Sequence, residues 1–112
     1  MTAEDRSQRH LALAAYALHI LGGPFTFGAA TLAALIINYL QRGPARGTIY
    51  GSHHEWMITT CWTCALLALG LLLVGIWFPS VCSLLLPAVG IYMLLRMVTG
   101  FVAAAIGEPV RD

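Results

Sequence analysis

Apolar residues run almost without interruption over 11–40, and the only break is a Gly-Gly-Pro triplet at 22–24. A continuous helix over that run would be about 45 Å long, which exceeds the roughly 30 Å hydrocarbon core of a bilayer. Glycine adopts backbone angles that other residues avoid, and proline suits the first turn of a helix because its missing N–H needs no partner there. The pattern therefore predicts two short helices, at about 10–22 and 25–41, that form a hairpin.

A polar loop over 41–51 precedes a second apolar region. It is followed by Ser-His-His-Glu, a sequence typical of a capping box. In that motif the Ser52 hydroxyl accepts a hydrogen bond from the backbone three residues on, and the Glu55 carboxylate reaches back to the Ser52 backbone. This motif predicts that the third helix begins at residue 53. The apolar run then predicts that it extends over 53–78.

A fourth helix is predicted over 81–106, because a proline stops the third helix and Ser80 can cap the next one. Pro87 inside this helix predicts a kink, and a Gly-Glu-Pro sequence after residue 106 predicts its end. The pattern as a whole predicts an all-α fold. It consists of four helical segments in a single transmembrane domain over 1–112.

Composition indicates that this chain folds in a lipid bilayer and not in water. Charged residues make up 10% of the chain, against about a quarter in soluble domains, and 59% of residues are hydrophobic. The net charge of +1 gives no electrostatic surface for nucleic acid. A cleaved signal peptide is the alternative interpretation of the apolar stretch 11–21. Glu4 and Asp5 argue against it, because a signal peptide begins with a basic segment.

The distribution of arginine predicts the orientation in the membrane. Four spans would place both termini and the 41–51 loop on one side, and cytoplasmic segments collect Lys and Arg. We therefore expect a multi-pass protein of the bacterial inner (plasma) membrane with both termini in the cytoplasm. Trp56 and Trp77 are 21 positions apart, about 31 Å along a helix, so one tryptophan is expected at each interface. The arginines on the predicted cytoplasmic side are Arg6, Arg9, Arg42, Arg46 and Arg111.

Cysteine and histidine are the candidates for metal, redox or nucleophilic chemistry. Cys61 and Cys64 fall inside a predicted helix and Cys82 is roughly 20 Å or more away, so no four-ligand set is expected. We interpret the cysteines as small packing residues. His19 is the only histidine predicted at depth, whereas a haem would need two that face each other. We therefore expect no cofactor, no metal and no enzymatic activity.

The remaining polar residues gather near the start of the third helix. Arg96, inside an apolar run, is expected to pair with Glu55, to lie over the Trp62 ring, or to extend to the interface. We expect Ser52→Ala to lower stability through the lost cap, and His53→Ala to leave the fold intact while weakening contacts with a partner. The candidate functional cluster comprises Arg42, Arg46, Ser52, His53, Glu55, Trp56, Trp62 and Arg96.

The loop and the helix start have the form R-G-x-A-x-G-T followed by S-H-x-x-W-x-I-x-T-x-W, and a late R-x-x-x-G and a G-x-P follow. Over nearly its whole length the chain resembles a family of small bacterial inner-membrane proteins without an assigned activity. That family is distantly related to the chloroplast inner-envelope protein-import channel subunit. In the family, positions 55 and 59 are often basic, whereas this chain has Glu55 and Thr59. The matching residues are Arg42, Gly43, Ala45, Gly47, Thr48, Ser52, His53, Trp56, Ile58, Thr60, Trp62, Arg96, Gly100, Gly107 and Pro109.

Three classes of function are open at this point. We favour a non-enzymatic membrane subunit for assembly or translocation, which acts through helix packing and a cytoplasmic loop. One alternative is a haem- or metal-binding redox subunit. The other is a pH sensor or small-solute conduit that depends on His53, His54 and Arg96. The expected partners are the lipid bilayer and another membrane protein or a second copy of the chain, and not nucleic acid.

Overall fold

The computed structural model describes residues 2–22 and 29–110, and these residues form helices and turns without a strand. The expected all-α class with four helices is confirmed, with shifted boundaries. The helices are α1 (Ala3–Ala17), which continues as a π-helical segment (Leu18–Gly22), α2 (Ala29–Gln41), α3 (Ile49–Val74) and α4 (Pro79–Ala105). The predicted start of α2 at residue 25 lies outside the described residues.

The first helix begins seven residues earlier than the apolar pattern predicts. A capping box at Thr2 causes this early start: the Thr2 hydroxyl accepts from the Asp5 backbone at 3.1 Å, and the Asp5 carboxylate accepts from the Thr2 backbone at 3.2 Å. Glu4 and Asp5 also lie where negative charge favours a helix N-terminus. The hydrogen bonds from Thr2, first from its side chain and then from its backbone, lower the pKa of the Asp5 carboxyl.

The predicted capping box at Ser52 is wrong, because α3 starts one turn earlier. Thr48 is the N-cap, and its hydroxyl accepts from the backbone of Tyr50 at 3.2 Å. Gly47, with φ of +86°, ends the preceding turn in a conformation that favours glycine. Ser52 is therefore inside the helix, where its hydroxyl donates to the Ile49 carbonyl at 2.6 Å.

The second half of the chain turns at residues 75–78. α3 ends at Val74 rather than at 78, and α4 begins with Pro79, whose missing N–H costs nothing in a first turn. The predicted Ser80 cap is wrong, because Phe78 occupies the N-cap position and makes no side-chain capping bond. α4 continues through Pro87 without a break.

The predicted end of α4 near residue 106 is accurate to one residue. Gly107 has φ of +80°, and its N–H donates to the Ala104 carbonyl at 3.2 Å. The N–H of Glu108 donates to the Ala103 carbonyl at 2.9 Å. These paired bonds form a Schellman motif, which satisfies the last carbonyls of the helix.

The core lies at one end of the molecule. α3 and α4 form a long hairpin, and the shorter pair α1 and α2 packs against it only over part of its length. Buried residues of α3 fall within 50–64 and those of α4 within 97–104. Gly100 permits the closest approach, because a Cβ there would overlap the buried Tyr16 ring. The core cluster comprises Ala12, Ala15, Tyr16, Ala34, Tyr50, Met57, Cys61, Met97 and Ala104.

The rest of the α3–α4 hairpin, residues 65–96, projects beyond this core and contains no buried residue. We call it the projecting hairpin. No charged residue lies between Glu55 and Arg96 in the sequence, and exposed side chains include Leu84 (77%) and Trp77 (73%). α3 and α4 are each long and apolar enough to cross a membrane, whereas α2 is apolar but has only 13 residues.

The end of the molecule opposite the tip of the projecting hairpin is formed by the two described chain ends and by the loop between α2 and α3. We call it the polar end. The Arg9 guanidinium donates to the Ala105 carbonyl, and the N–H of Val110 donates to the Ser52 hydroxyl at 3.2 Å. Arg111 lies outside the described residues. Arg6, Arg9, Arg42 and Arg46 all belong to segments of this end, so the expected clustering of arginines on one side of the fold holds for them.

Candidate functional site

A buried amide, Asn38 of α2, links two histidines from other parts of the fold. Its side-chain oxygen lies 3.2 Å from Nε2 of His19 in the π-helical segment, and its nitrogen lies 3.0 Å from Nδ1 of His54 in α3. The amide and both imidazoles are at most 4% exposed. Buried hydrogen bonds of this kind hold helices in one register, because any displacement leaves a polar group unpaired. We call these three residues the polar chain.

The chemistry of the amide sets the direction of each hydrogen bond in the polar chain. An amide oxygen only accepts, so His19 donates from Nε2 and its Nδ1 is available as an acceptor. An amide nitrogen only donates, so His54 accepts at Nδ1 and carries its proton on Nε2. Among the described residues, Nε2 of His54 is buried and has no hydrogen-bond partner.

The His19 end of the polar chain meets a thiol and a cavity. The Cys61 sulfur lies 3.7 Å from Nδ1 of His19 and 3.8 Å from Nε2. The two distances are nearly equal, so the sulfur lies beside the ring and not along the axis of either nitrogen. Since Nε2 already donates to Asn38, Nδ1 is the ring nitrogen that can accept the thiol proton. His19, Cys61 and Cys64 belong to the lining of a cavity of about 650 Å³. Its remaining lining residues lie mainly on α3 and α4, and nearly all of them are apolar.

A second buried cluster fixes His53, which the sequence placed at an interaction surface. His53 is fully buried, so that expectation is wrong. Its Nε2 donates to the Glu108 carbonyl at 2.7 Å, and its Nδ1 accepts from the Tyr16 hydroxyl at 2.8 Å. The Tyr50 ring stacks on it, with centroids 5.9 Å apart. His53 therefore joins α1, α3 and the chain after α4, and its role in the fold is structural.

Arg96 has other partners than the sequence suggested. Its guanidinium lies 3.7 Å from the centroid of the Trp56 ring, not over Trp62, and its Nε donates to the Thr60 hydroxyl at 2.8 Å. The Trp56 indole N–H donates in turn to the Arg96 carbonyl at 2.9 Å. These contacts join α3 to α4 at the base of the projecting hairpin. Cation–π contacts of this kind contribute about 0.5–2 kcal/mol, and burial strengthens them.

The other residues of the expected cluster lie on the surface and do not converge. Glu55 forms its ion pair with Arg42 of the loop rather than with Arg96, and both side chains are about half exposed. Arg46 is exposed. Trp62 is also exposed, and its indole N–H donates to the Tyr39 hydroxyl at 2.6 Å. Of the eight residues, His53 alone is buried, and Ser52, Trp56 and Arg96 are partly buried. Arg42 and Glu55 form a surface ion pair, Trp62 contacts Tyr39 at the surface, and Arg46 is exposed.

The polar chain is the main feature that the sequence interpretation missed. The sequence predicts that His19 and His54 lie apart, because they belong to segments at different predicted depths in the membrane. In the structure, Asn38 joins them. An available signal was Asn38 itself, an amide in the middle of an apolar helix, where an unpaired polar group is costly. Such a residue predicts a buried polar partner on a neighbouring helix.

Among the residues that the structure describes, no group of three or more His, Cys, Asp or Glu side chains is placed to hold a metal ion. Comparison of the whole chain with protein-family models, curated proteins and solved structures gives no match. What the polar chain and the projecting hairpin do is therefore inferred from their own geometry and chemistry.

Proposed function

We propose that this chain is a non-enzymatic subunit of a bacterial inner membrane that acts through helix packing. In this proposal α3 and α4 cross the bilayer, and the polar end faces the cytoplasm. The projecting hairpin over 65–96 is the observation that carries the proposal, since its sequence is uncharged as far as Arg96 and none of its residues is buried in the described fold.

Burial distinguishes this hairpin from the core of a soluble protein. The most apolar stretch of a core helix is mostly buried, whereas only 28% of that stretch is buried in α3 and 6% in α4. Soluble monomers rarely expose contiguous apolar patches larger than a few hundred Å². Helices of 26 and 27 residues are about 39 and 40 Å long, enough for a core of about 30 Å.

The short hairpin acts as a brace in this proposal. As described, the apolar part of α1 with its π-helical segment and the 13 residues of α2 are each about 20 Å long, too short to cross alone. We therefore replace the expected four spans with two spans and a half-length hairpin. The polar chain ties this hairpin to α3, so a helix–helix contact inside the membrane has hydrogen bonds as well as packing.

A partner would contact the polar end in this proposal. The ion pair between Arg42 and Glu55 and the exposed Arg46 give that surface a mixed charge. Its described segments carry four arginines (Arg6, Arg9, Arg42 and Arg46) and four acidic residues (Glu4, Asp5, Glu55 and Glu108). An assembly or translocation role agrees with the resemblance to the membrane family named above. The redox and pH-sensor alternatives have less support, because His53, Arg96 and Nδ1 of His54 make contacts that join parts of the fold.

Replacement of one exposed apolar residue by arginine tests the membrane placement. Ile91 is 59% exposed near the middle of α4, and Leu40 is 67% exposed near the polar end of α2. An arginine at the centre of a membrane helix costs about 2.5–3.5 kcal/mol. We expect Ile91→Arg to reduce strongly the fraction that resists alkaline carbonate extraction, and Leu40→Arg to leave that fraction close to wild type.

The same pair of variants can refute the proposal. In a soluble protein, both positions are exposed to water and both arginines would be tolerated equally. A wild-type chain that appears in the carbonate supernatant as a detergent-free monomer, with neither substitution having an effect, would show that the hairpin does not cross a bilayer.

A further inference from the structure

Cys61, His19 and Asn38 are arranged as a nucleophile, a base and the group that orients the base. The Cys61 sulfur is 3.7 Å from Nδ1 of His19, and Nε2 of that ring is 3.2 Å from the Asn38 amide oxygen. The amide fixes the tautomer in which Nδ1 is free to accept the thiol proton. Cysteine, histidine and asparagine in these relative roles recur in enzymes that form acyl-thioesters.

The position of this triad in the fold adds a second observation. His19 lies in the π-helical segment Leu18–Gly22, and single π-helical turns occur frequently at functional sites. The Cys61 thiol and the His19 ring both line the cavity, so the nucleophile and its base border the same space. A cysteine that only filled space in a packed core would not need an oriented base beside an open cavity.

The cavity indicates what kind of molecule reaches the thiol. Its volume of about 650 Å³ falls within the roughly 300–1,000 Å³ of small-molecule sites. It extends from Cys61 to Ala68 on α3, about 10 Å, and from Met97 to Leu86 on α4, about 16 Å. Among the described residues that line it, none carries a charged side chain. A chain of methylene groups whose reactive head lies at Cys61 suits this shape and polarity.

We propose that Cys61 is a covalent acylation site, with a long-chain acyl thioester as the donor and the cavity as the slot for the acyl chain. The Cys61 sulfur attacks the thioester carbonyl while its proton passes to Nδ1 of His19. The new carbon–sulfur bond replaces the old one, and the departing thiolate takes the proton from His19. Cys61 ends as an S-acyl cysteine and the donor as a free thiol, without oxidation or reduction.

Intact-mass spectrometry of the purified protein in detergent micelles tests this site. The donor is the palmitoyl thioester of N-acetylcysteamine, an uncharged molecule that partitions into micelles, and peptide mapping locates the modified residue. Cys82→Ala is the control, because Cys82 is a free cysteine on α4 that does not line the cavity. Cys61→Ser keeps the size of the side chain with a poorer nucleophile, and His19→Gln keeps a hydrogen-bond donor for Asn38 but has no base.

We expect one acyl group on Cys61 of the wild type, removed by neutral hydroxylamine, and the same rate in Cys82→Ala. Cys61→Ser should stay unmodified under the same conditions. His19→Gln should react at least about 100-fold more slowly, since a positioned general base contributes about 10²–10⁴ in rate. Unchanged elution volume and helical circular dichroism identify the variants that are folded.

Three results would overturn the proposal: a folded wild type that is not acylated at Cys61, equal modification of Cys61 and Cys64, or a folded His19→Gln variant that reacts at the wild-type rate. The last result would leave the triad a purely structural contact between helices. Because the assay is done in micelles, its failure would not bear on whether the projecting hairpin crosses a bilayer.

Discussion

Gly100→Ala introduces a single methyl group where α4 meets α1. A Cβ at this position would lie 2.6 Å from Cε1 of the Tyr16 ring, and real Cβ contacts essentially never fall below 3.0 Å. The ring cannot easily withdraw, because it is fully buried, its hydroxyl donates to His53 at 2.8 Å, and its edge meets Phe101. Either α4 moves away from α1, or the hydrogen bond to His53 lengthens or breaks.

The expected change in unfolding free energy for Gly100→Ala is the balance of opposing contributions. Replacing a mid-helical glycine with alanine stabilises a helix by up to about 1 kcal/mol. Overpacking a core costs about 1–3 kcal/mol, and loss of a buried hydrogen bond costs about 1 kcal/mol. We therefore expect Gly100→Ala to lower the free energy of unfolding by about 1–3 kcal/mol. Gly90→Ala, in the same helix with no atom within 4 Å of the new Cβ, should be neutral or stabilising.

Reversible unfolding in mixed micelles, with sodium dodecyl sulfate as the denaturant and helical circular dichroism as the signal, gives both free energies. Tyr16→Phe provides a second check, because the ring loses its bond to His53 and gains freedom to shift. The double variant with Gly100→Ala should then be more stable than the sum of the two single effects predicts. A Gly100→Ala variant as stable as Gly90→Ala would refute the close approach of α1 and α4.

Three further expectations concern other contacts. Asn38→Leu removes the hydrogen-bond partners of His19 Nε2 and His54 Nδ1 and should lower the unfolding free energy by about 2–4 kcal/mol in the same assay. Leu40→Ala, exposed on the same helix, should change it by less than about 1 kcal/mol. Arg42→Gln breaks a half-exposed ion pair and should change stability by less than about 1 kcal/mol, less still at high salt. Because the folded-state pKa of Asp5 is lowered, its contribution to the start of α1 is present above its unfolded pKa, near 4, and is lost as pH falls through the folded value. The protection factors of amides near the start of α1, which correct for the intrinsic pH dependence of exchange, should therefore fall in acid.

The number and type of helices followed from the sequence, because long apolar runs broken by Gly and Pro leave few alternatives to helical hairpins. The residues at which the helices start did not follow from the sequence. Ser52 and Glu55 match a capping box by spacing, yet Thr48 caps α3 one turn earlier, since Gly47 ends the loop in the left-handed region there. A capping motif therefore identifies a helix start only when the preceding turn brings the chain to that residue.

The candidate cluster shows a different limit of sequence reasoning. His53 was assigned to a surface because it adjoins a polar loop, but the chain after α4 returns to cover it and Glu108 accepts its N–H. That contact joins residues 55 positions apart, and local sequence has no signal for it. Asn38 was more informative, because a lone amide in an apolar helix must find a partner wherever the helices meet.

Accessibility of single cysteines in intact cells tests most directly whether α3 and α4 cross the membrane. With the three native cysteines replaced by alanine, one cysteine is placed at Arg46 in the polar-end loop and another at Trp77 in the turn between α3 and α4. We predict that a membrane-impermeant maleimide modifies the cysteine at 77 in intact cells and the cysteine at 46 only after the membrane is opened. Modification of both positions, or of neither, in intact cells would contradict the account.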